Sequence, residues 1–224
     1  MIIKCAQKAQ KIHTEGLATF RAGKVPLFVG FPPELNRRFI TAIRFKEATS
    51  WPLMTRIMLR LITLEHALDL QFFLAMRDFP LHSTLMEGVV DGDSSCCEVF
   101  QTLLQDPVLT RLRSSLDGET INFPYLALDK AGNVLLVAEE IPDAVAGFRE
   151  NIASVYQRYG LKPRIIEGLL HITIARVVEF PSSNPSQIED FLDGFDAIKN
   201  GVRTGLQLIA SSETAAGASI AFLT

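Results

Sequence analysis

Two histidines in this chain each stand two residues before a threonine, in segments of nearly the same pattern. His82 lies in FPLHSTLMEG and His171 in GLLHITIARV, so both segments read Leu-His-x-Thr followed by an aliphatic residue. An imidazole titrates at about pH 6.5 and can therefore accept or donate a proton near neutrality. The hydroxyls of Thr84 and Thr173 can donate hydrogen bonds to an anion. The two pairs predict acid–base chemistry on an anionic group.

Both segments are predicted to be β-strands, in which alternate side chains point to opposite faces. Each histidine then shares a face with its own threonine, while Ser83 and Ile172 face the other way. Two such strands side by side would surround one phosphodiester. One imidazole would take a proton from the attacking oxygen, the other would protonate the leaving oxygen, and the hydroxyls would bind the non-bridging oxygens. The alternative is structural: each half-buried histidine only hydrogen-bonds its own threonine.

Three further residues are candidates for contacts with a substrate. Phe123 and Tyr125 alternate on a predicted strand and could stack on a base, with core packing as the alternative for both. Arg176 falls on the face opposite His171 if that strand is regular. It therefore reaches a phosphate only if a bulge interrupts the strand or the contact lies at the strand's end.

The other titratable residues do not form a site of their own. His13 and His66 have no threonine two residues later and are expected to be surface or packing residues. The three cysteines, two of them adjacent, fit neither a disulfide framework nor a zinc site. The motif strands supply one histidine each, and no glycine-rich phosphate loop is present. Neither a metal nor a cofactor is expected.

Composition restricts the class of partner. With 48% hydrophobic and 21% charged residues, the chain is typical of a globular protein. A net charge of -3 argues against a long duplex nucleic acid, which needs an excess of positive charge, and favours a small ligand or the end of a nucleic acid. The most apolar helical stretch, 53–70, carries several charges, so no contact with a membrane is predicted. Reduced thiols and the lack of a secretory leader predict a cytoplasmic protein.

The remaining elements must position the two motifs. Strands are predicted over 25–31, 71–79, 81–90, 120–128, 133–139, 169–180, 203–211 and 218–223. Helices are predicted from 34 to 48, over 53–68, from the turn at 91–93 to about 116 with a break at Pro107, and over 142–159 and 185–199. Hairpins without strict strand–helix alternation favour an α+β fold. Residues 1–24 are predicted to be an N-terminal extension before one domain over 25–224.

The paired motifs resemble those of the two-histidine phosphoesterase superfamily, which includes the 2′–5′ RNA ligase-like proteins and the 2′,3′-cyclic nucleotide phosphodiesterases. VPLFVGFPPELNRRF is also similar to the opening strand and helix of the RNA ligase-like branch. The resemblance implies a bilobal, pseudo-twofold α+β fold in which two antiparallel sheets form a central groove with helices outside. It also implies that His82 and His171 are catalytic and that Thr84 and Thr173 bind phosphate.

The activity that this resemblance implies is metal-independent hydrolysis of a 2′,3′-cyclic phosphate on a nucleotide or RNA end. One rival uses the same site for 2′–5′ RNA joining or for a cyclic oligonucleotide. A rival from another class is a nucleotide- or RNA-binding module without turnover. The chain departs from the family pattern in its N-terminal extension and in the long helix before the first motif, and both departures bear on the choice of substrate.

Overall fold

A computed structural model describes residues 3–30, 38–46, 51–74, 82–90, 96–165, 167–180, 184–202, 206–210 and 215–218. The helices in this part are α1 (Ala6–Arg21), α2 (Trp51–Leu68), α3 (Cys96–Leu104), α4 (Pro107–Ser114), α5 (Asp143–Arg158) and α6 (Pro185–Val202). The strands are β1 (Ile3–Lys4), β2 (Arg38–Lys46), β3 (Gln71–Leu74), β4 (His82–Val90), β5 (Thr120–Asn122), β6 (Tyr125–Leu128), β7 (Asn133–Val137), β8 (Glu140–Ile141), β9 (Leu161–Arg164), β10 (His171–Glu179), β11 (Gln207–Ala210) and β12 (Ala215–Ala218).

The strands form two main antiparallel sheets with helices on the outside, as the resemblance implied. One sheet has the order β3-β10-β7-β6, and the other has the order β5-β11-β2-β4-β9 with β12 also paired to β2. Strands β1 and β8 form a separate short pair. The second motif strand, β10, and the first, β4, are therefore internal strands of different sheets. Because each has neighbours on both sides, its backbone is held firmly in place.

Helix α1 packs into the same hydrophobic core as the sheets. Phe20 is fully buried. Its ring stacks on that of Phe191, with 5.4 Å between the ring centres, and meets the ring of Phe180 edge-on, with 5.1 Å between the ring centres. Gly16 allows the helix to approach β6, because a Cβ at this position would lie 2.2 Å from the main-chain oxygen of Leu128. The described part of the predicted N-terminal extension is thus joined to the rest by burial of aromatic side chains.

The helix predicted over 34–48 is wrong, because its described part is the strand β2. This strand pairs with β4 on one side and with β11 and β12 on the other. Phe39, Ala42 and Ile43 are all fully buried. A strand buried on both faces loses the alternation of polar and apolar residues that distinguishes a strand from a helix. Residues 34–37 and 47–48 lie outside the described part.

The predicted strand over 25–31 is also wrong over its described residues. Residues 25–30 have no regular structure, although the Phe28 N–H donates a hydrogen bond to the main-chain oxygen of Val177 in β10 at 2.7 Å. Gly132, in the turn that follows β6, has a φ of 79°, and a Cβ there would lie 2.9 Å from the main-chain oxygen of Pro26. This segment is therefore held by single contacts rather than by a ladder of hydrogen bonds.

In the second half of the chain the hairpin and the two helices follow the prediction, whereas β9 was not predicted. β6 and β7 form the predicted hairpin, and α5 begins after Pro142 and is followed by Gly160, whose φ is 71°. Strand β11 lies within the first predicted closing strand, 203–211, and pairs with β2 and β5. Of the second, 218–223, only Ala218 is described, as the last residue of β12, which pairs with β2. The predicted segments at 75–79, 81, 91–95, 203–205, 211 and 219–223 lie outside the described part. The described helices include none that is both long and apolar enough to cross a bilayer.

Candidate active site

The two motif strands begin on their histidines and bury the same positions. β4 starts at His82 and β10 at His171, and in both strands the histidine and its threonine are partly exposed. The residue between them, Ser83 or Ile172, is fully buried. Each strand therefore presents one imidazole and one hydroxyl on a single face and fixes that face by burying the residue between them.

Both motif strands contain a bulge at the same place, directly after the threonine. In β4, Thr84 pairs with Ala42 and Met86 pairs with Thr41, so that Leu85 is the extra residue. In β10, Thr173 and Ala175 pair with consecutive residues of β7, which makes Ile174 the extra residue. A bulge shifts the alternation of the residues that follow it by one position. The two halves of the fold thus repeat an irregularity as well as a sequence motif.

The bulge in β10 changes the position of Arg176. In a regular strand Arg176 would face away from His171, but the extra residue returns it to the face that carries His171 and Thr173. Its guanidinium lies over the ring of Phe28, 5.2 Å from the ring centre. A bulge was the condition under which Arg176 could reach a phosphate beside His171, and this bulge is present. The corresponding residue of the first motif strand is Glu87, so the two halves differ in charge at this position.

A hydrogen bond joins the two motif strands at their histidines. The Ser83 hydroxyl, on the buried face of β4, donates to the main-chain oxygen of His171 at 2.6 Å. Because Ser83 directly follows His82, this bond fixes the distance between the backbones that carry the two imidazoles. Ser83 is the variable residue of the first motif, and no feature of the sequence distinguishes it from other strand serines.

A buried arginine on α5 binds both motif strands. Arg149 is 7% exposed, and its Nε donates to the main-chain oxygen of Leu85 at 3.1 Å. One terminal nitrogen donates to the main-chain oxygen of Leu169, just before β10, at 2.9 Å. The bulged Leu85 has its carbonyl oxygen satisfied in this way. Sequence reasoning missed Arg149, since one arginine on an amphipathic helix is typical of an exposed face.

The surroundings of His171 keep its imidazole neutral. Burial is the largest cause and lowers the pKa of His171 to about 4. The Asp129 carboxylate raises this pKa, while the positive charges of Arg149, His82 and Arg176 lower it. His82 thus affects the titration of His171, although the two histidines belong to different sheets. At neutral pH the His171 imidazole can act as a proton acceptor.

His171 and His13 together predict a loss of stability in acid. The pKa of both His171 and His13 is lowered from 6.5 to about 4 in the folded chain. Below pH 6.5 the unfolded chain therefore binds protons that the folded chain does not bind. The stabilisation is complete above that pH and is lost as the pH falls through the folded-state pKa. We expect the urea concentration at the midpoint of unfolding to fall as the pH is lowered from 6.5 to about 4.

The His13→Asn variant separates this effect from the titration of carboxylates. An asparagine oxygen can still accept the hydrogen bond that the Leu128 N–H donates to His13 Nδ1 at 3.3 Å. Asparagine does not titrate, so the loss of stability below pH 6.5 should be smaller in the variant. Carboxylates titrate in both proteins and cancel in the comparison. Equal slopes in wild type and variant would contradict a neutral buried His13.

The two aromatic candidates occupy different environments. Tyr125 pairs with Val137, which pairs with His171, so Tyr125 lies in the same row across the sheet and is partly exposed. Phe123 is fully buried and meets the ring of Phe45 edge-on at 5.6 Å. The ring of Phe123 is covered by protein. Core packing is therefore the correct interpretation of Phe123, and the expectation that it stacks on a base is wrong.

The remaining histidines are on helices and not on the motif strands. His13 is a buried packing residue of α1, 5.9 Å from the ring of Phe195, and His66 is exposed on α2. Within the described residues, no three His, Cys, Asp or Glu side chains are grouped closely enough to hold a metal ion.

Comparisons with known proteins give distant structural likenesses. No protein-family model and no curated protein matches the chain. A structure of Kluyveromyces marxianus Usb1 with uridine monophosphate is 13% identical, with a TM-score of 0.45 over 82% of this chain and 98% of that one. A second structure of Kluyveromyces marxianus Usb1 has a TM-score of 0.41 at the same identity and coverage. The PDE domain of MHV ns2 is 16% identical, with a TM-score of 0.40 over 62% of this chain and 84% of that one.

Proposed function

We propose that this chain is a metal-independent phosphodiesterase of the two-histidine type, which hydrolyses a 2′,3′-cyclic phosphate on a nucleotide or RNA end. The observation that carries the proposal is the hydrogen bond of 2.6 Å from Ser83 to the main-chain oxygen of His171. It joins two strands that share a His-x-Thr motif, a burial pattern and a bulge. Two imidazoles and two hydroxyls on strands held together in this way suit one phosphodiester.

The electrostatic environment supports a division of the proton transfers. His171, with a pKa of about 4, is neutral near pH 7 and would accept the proton of the attacking water. The water oxygen then forms a bond to phosphorus as the bond between phosphorus and one ribose oxygen breaks. His82, in its protonated form, would give its proton to that departing oxygen. Exchange of one proton with solvent at each histidine restores the starting state.

The other residues of this face would bind the phosphate and the base. Thr84 and Thr173 share faces with the two histidines and would donate to the non-bridging oxygens, where negative charge increases in the transition state. Arg176 would balance that charge, since the bulge puts it on the same face. Tyr125 lies in the row of His171 and would stack on the base.

The overall charge supports a small or terminal substrate. A chain with a net charge of -3 lacks the excess of positive charge that a long duplex favours, whereas one terminal phosphate needs only a few local donors. We place the protein in the cytoplasm, where the buried thiol of Cys5 would stay reduced.

A panel of substrates tests this function. Purified protein should open nucleoside 2′,3′-cyclic monophosphates and RNA ending in a cyclic phosphate, and it should keep this activity after dialysis against EDTA. The motif strands contribute one histidine each, fewer than the three or more protein ligands typical of a hydrolytic metal site. The product is followed by chromatography with and without the chelator.

Each result of the panel has a defined meaning. Loss of activity in EDTA with recovery on added Mg²⁺ or Zn²⁺ would contradict the proposed chemistry. Binding of nucleotides without turnover of any substrate would favour the binding module. Joining of RNA ends to a 2′–5′ bond without hydrolysis would favour the ligase.

A further inference from the structure

Arg44 is the cross-strand neighbour of His82. In the pairing of β2 with β4, Arg44 stands directly opposite His82, and Ile43 stands opposite Ser83. Ile43 and Ser83 are both fully buried, whereas Arg44 and His82 are partly exposed on the other face. Directly opposed residues of an antiparallel pair have Cβ atoms about 4.5–5.5 Å apart. The side chains of Arg44 and His82 therefore leave the sheet as direct neighbours on the same face.

The guanidinium of Arg44 has an unsatisfied donor. Among the described residues, its Nε is buried without a hydrogen-bond partner and Arg44 forms no ion pair. By contrast, the Ser83 hydroxyl and the Arg149 Nε, which bind the main chain of the motif strands, both have acceptors. Because no carboxylate of the described residues pairs with Arg44, its charge can interact with an anion that binds beside His82.

Arg44 belongs to β2, whereas the strand that contacts β10 is β4, through the hydrogen bond from Ser83 to the main-chain oxygen of His171. Arg44 is therefore one strand farther from β10 than His82 is. On its other side, β2 pairs with β12 over residues 39–42 and with β11 over residues 45–46. Arg44 stands between these two ladders, where no cross-strand side chain of the described residues opposes it.

We propose that Arg44 binds a second phosphate, the one that links the terminal nucleoside to the rest of an RNA strand. This inference rests on the proposed function and narrows its substrate to an oligonucleotide 3′ end. The reacting phosphate already has the two threonines and Arg176, whereas Arg44 lies beyond His82. A guanidinium binds a phosphate through two parallel N–H bonds, which the terminal nitrogens of the partly exposed Arg44 can supply.

The test compares two substrates that differ by one phosphate. The first is a nucleoside 2′,3′-cyclic monophosphate, and the second is a dinucleotide with the same terminal base and a 3′-terminal cyclic phosphate. We expect Arg44→Gln to lower kcat/KM for the dinucleotide about 10–100-fold, mostly through KM, because a charge-assisted pair of hydrogen bonds is lost. For the mononucleotide the change should be less than about threefold. Arg111→Gln, exposed on α4, is the matched control and should change neither value.

Binding of the two hydrolysis products, measured by calorimetry, gives a readout that does not depend on turnover. Arg44→Gln should weaken the dinucleotide product and leave the mononucleotide product unchanged. Equal losses with both molecules, or no loss with either, would overturn the inference and leave the proposed function standing. If wild type opens neither substrate, the proposed function fails, and unchanged product binding in the variant would overturn the role of Arg44 as well. If Arg44→Gln does not fold, Arg44→Lys replaces it in both experiments, because lysine keeps the positive charge but lacks the two parallel N–H donors of arginine.

Discussion

His171→Ala is expected to turn over a 2′,3′-cyclic nucleotide about 10²–10⁴-fold more slowly than wild type while binding the product nearly as well. The His171 imidazole has a pKa of about 4 and is the neutral base of the proposed reaction. Alanine at this position cannot accept the proton of the attacking water. His82→Ala should show a loss in the same range, because the leaving ribose oxygen then receives no proton from the protein. The measurements are kcat and the dissociation constant of the product.

The control for this experiment is His66→Ala, on the exposed surface of α2, which should keep full activity. Circular dichroism of each variant establishes that it is folded. If both site variants unfold, or if both keep full turnover, the paired motifs are structural and the binding module replaces the enzyme.

Arg149→Met is expected to destabilise the folded chain more than any of the other substitutions. The guanidinium of Arg149 bonds the main-chain oxygens of Leu85 at 3.1 Å and Leu169 at 2.9 Å. Methionine fills much of the same space but donates no hydrogen bond, so two carbonyl groups lose a donor at a cost of about 1–3 kcal/mol each. The free energy of unfolding should therefore fall by about 2–5 kcal/mol in urea denaturation.

Arg149→Met also has an electrostatic consequence. The positive charge of Arg149 lowers the pKa of His171, so its removal should raise that pKa and move the acidic limb of the pH–rate profile to higher pH. Arg111→Met, exposed on α4, is the control and should leave both stability and pH profile close to wild type. A stable Arg149→Met protein with an unshifted profile would contradict the role assigned to this arginine.

The sequence predicted the motif strands because their side chains alternate between a buried and a partly exposed face. It predicted the β6–β7 hairpin because the turn between the strands is short and polar. It failed for β2, where burial on both faces removes the alternation, so that 34–48 has the spacing of a helix. It also left open the face of Arg176, because a bulge depends on pairing with β7 and not on local residue types.

Other features of the site arise only from tertiary contacts. Arg149 is distant in sequence from Leu85, and no periodicity of α5 distinguishes it from a surface arginine. The register of β2 against β4 brings Arg44 to His82. A wrong assignment of β2 as a helix hides this pairing completely. Sequence reasoning thus identified the residues suited to chemistry, and the fold identified the residues that hold them.

The proposed reaction requires His82 and His171 to act on one phosphate in one step, and the kcat of the double variant His82→Ala/His171→Ala shows whether they do. The effects of groups that act together are not additive, so the double variant should be within a few-fold of the poorer single variant. Two losses that multiply would mean that the histidines act independently, and this result would exclude a shared step.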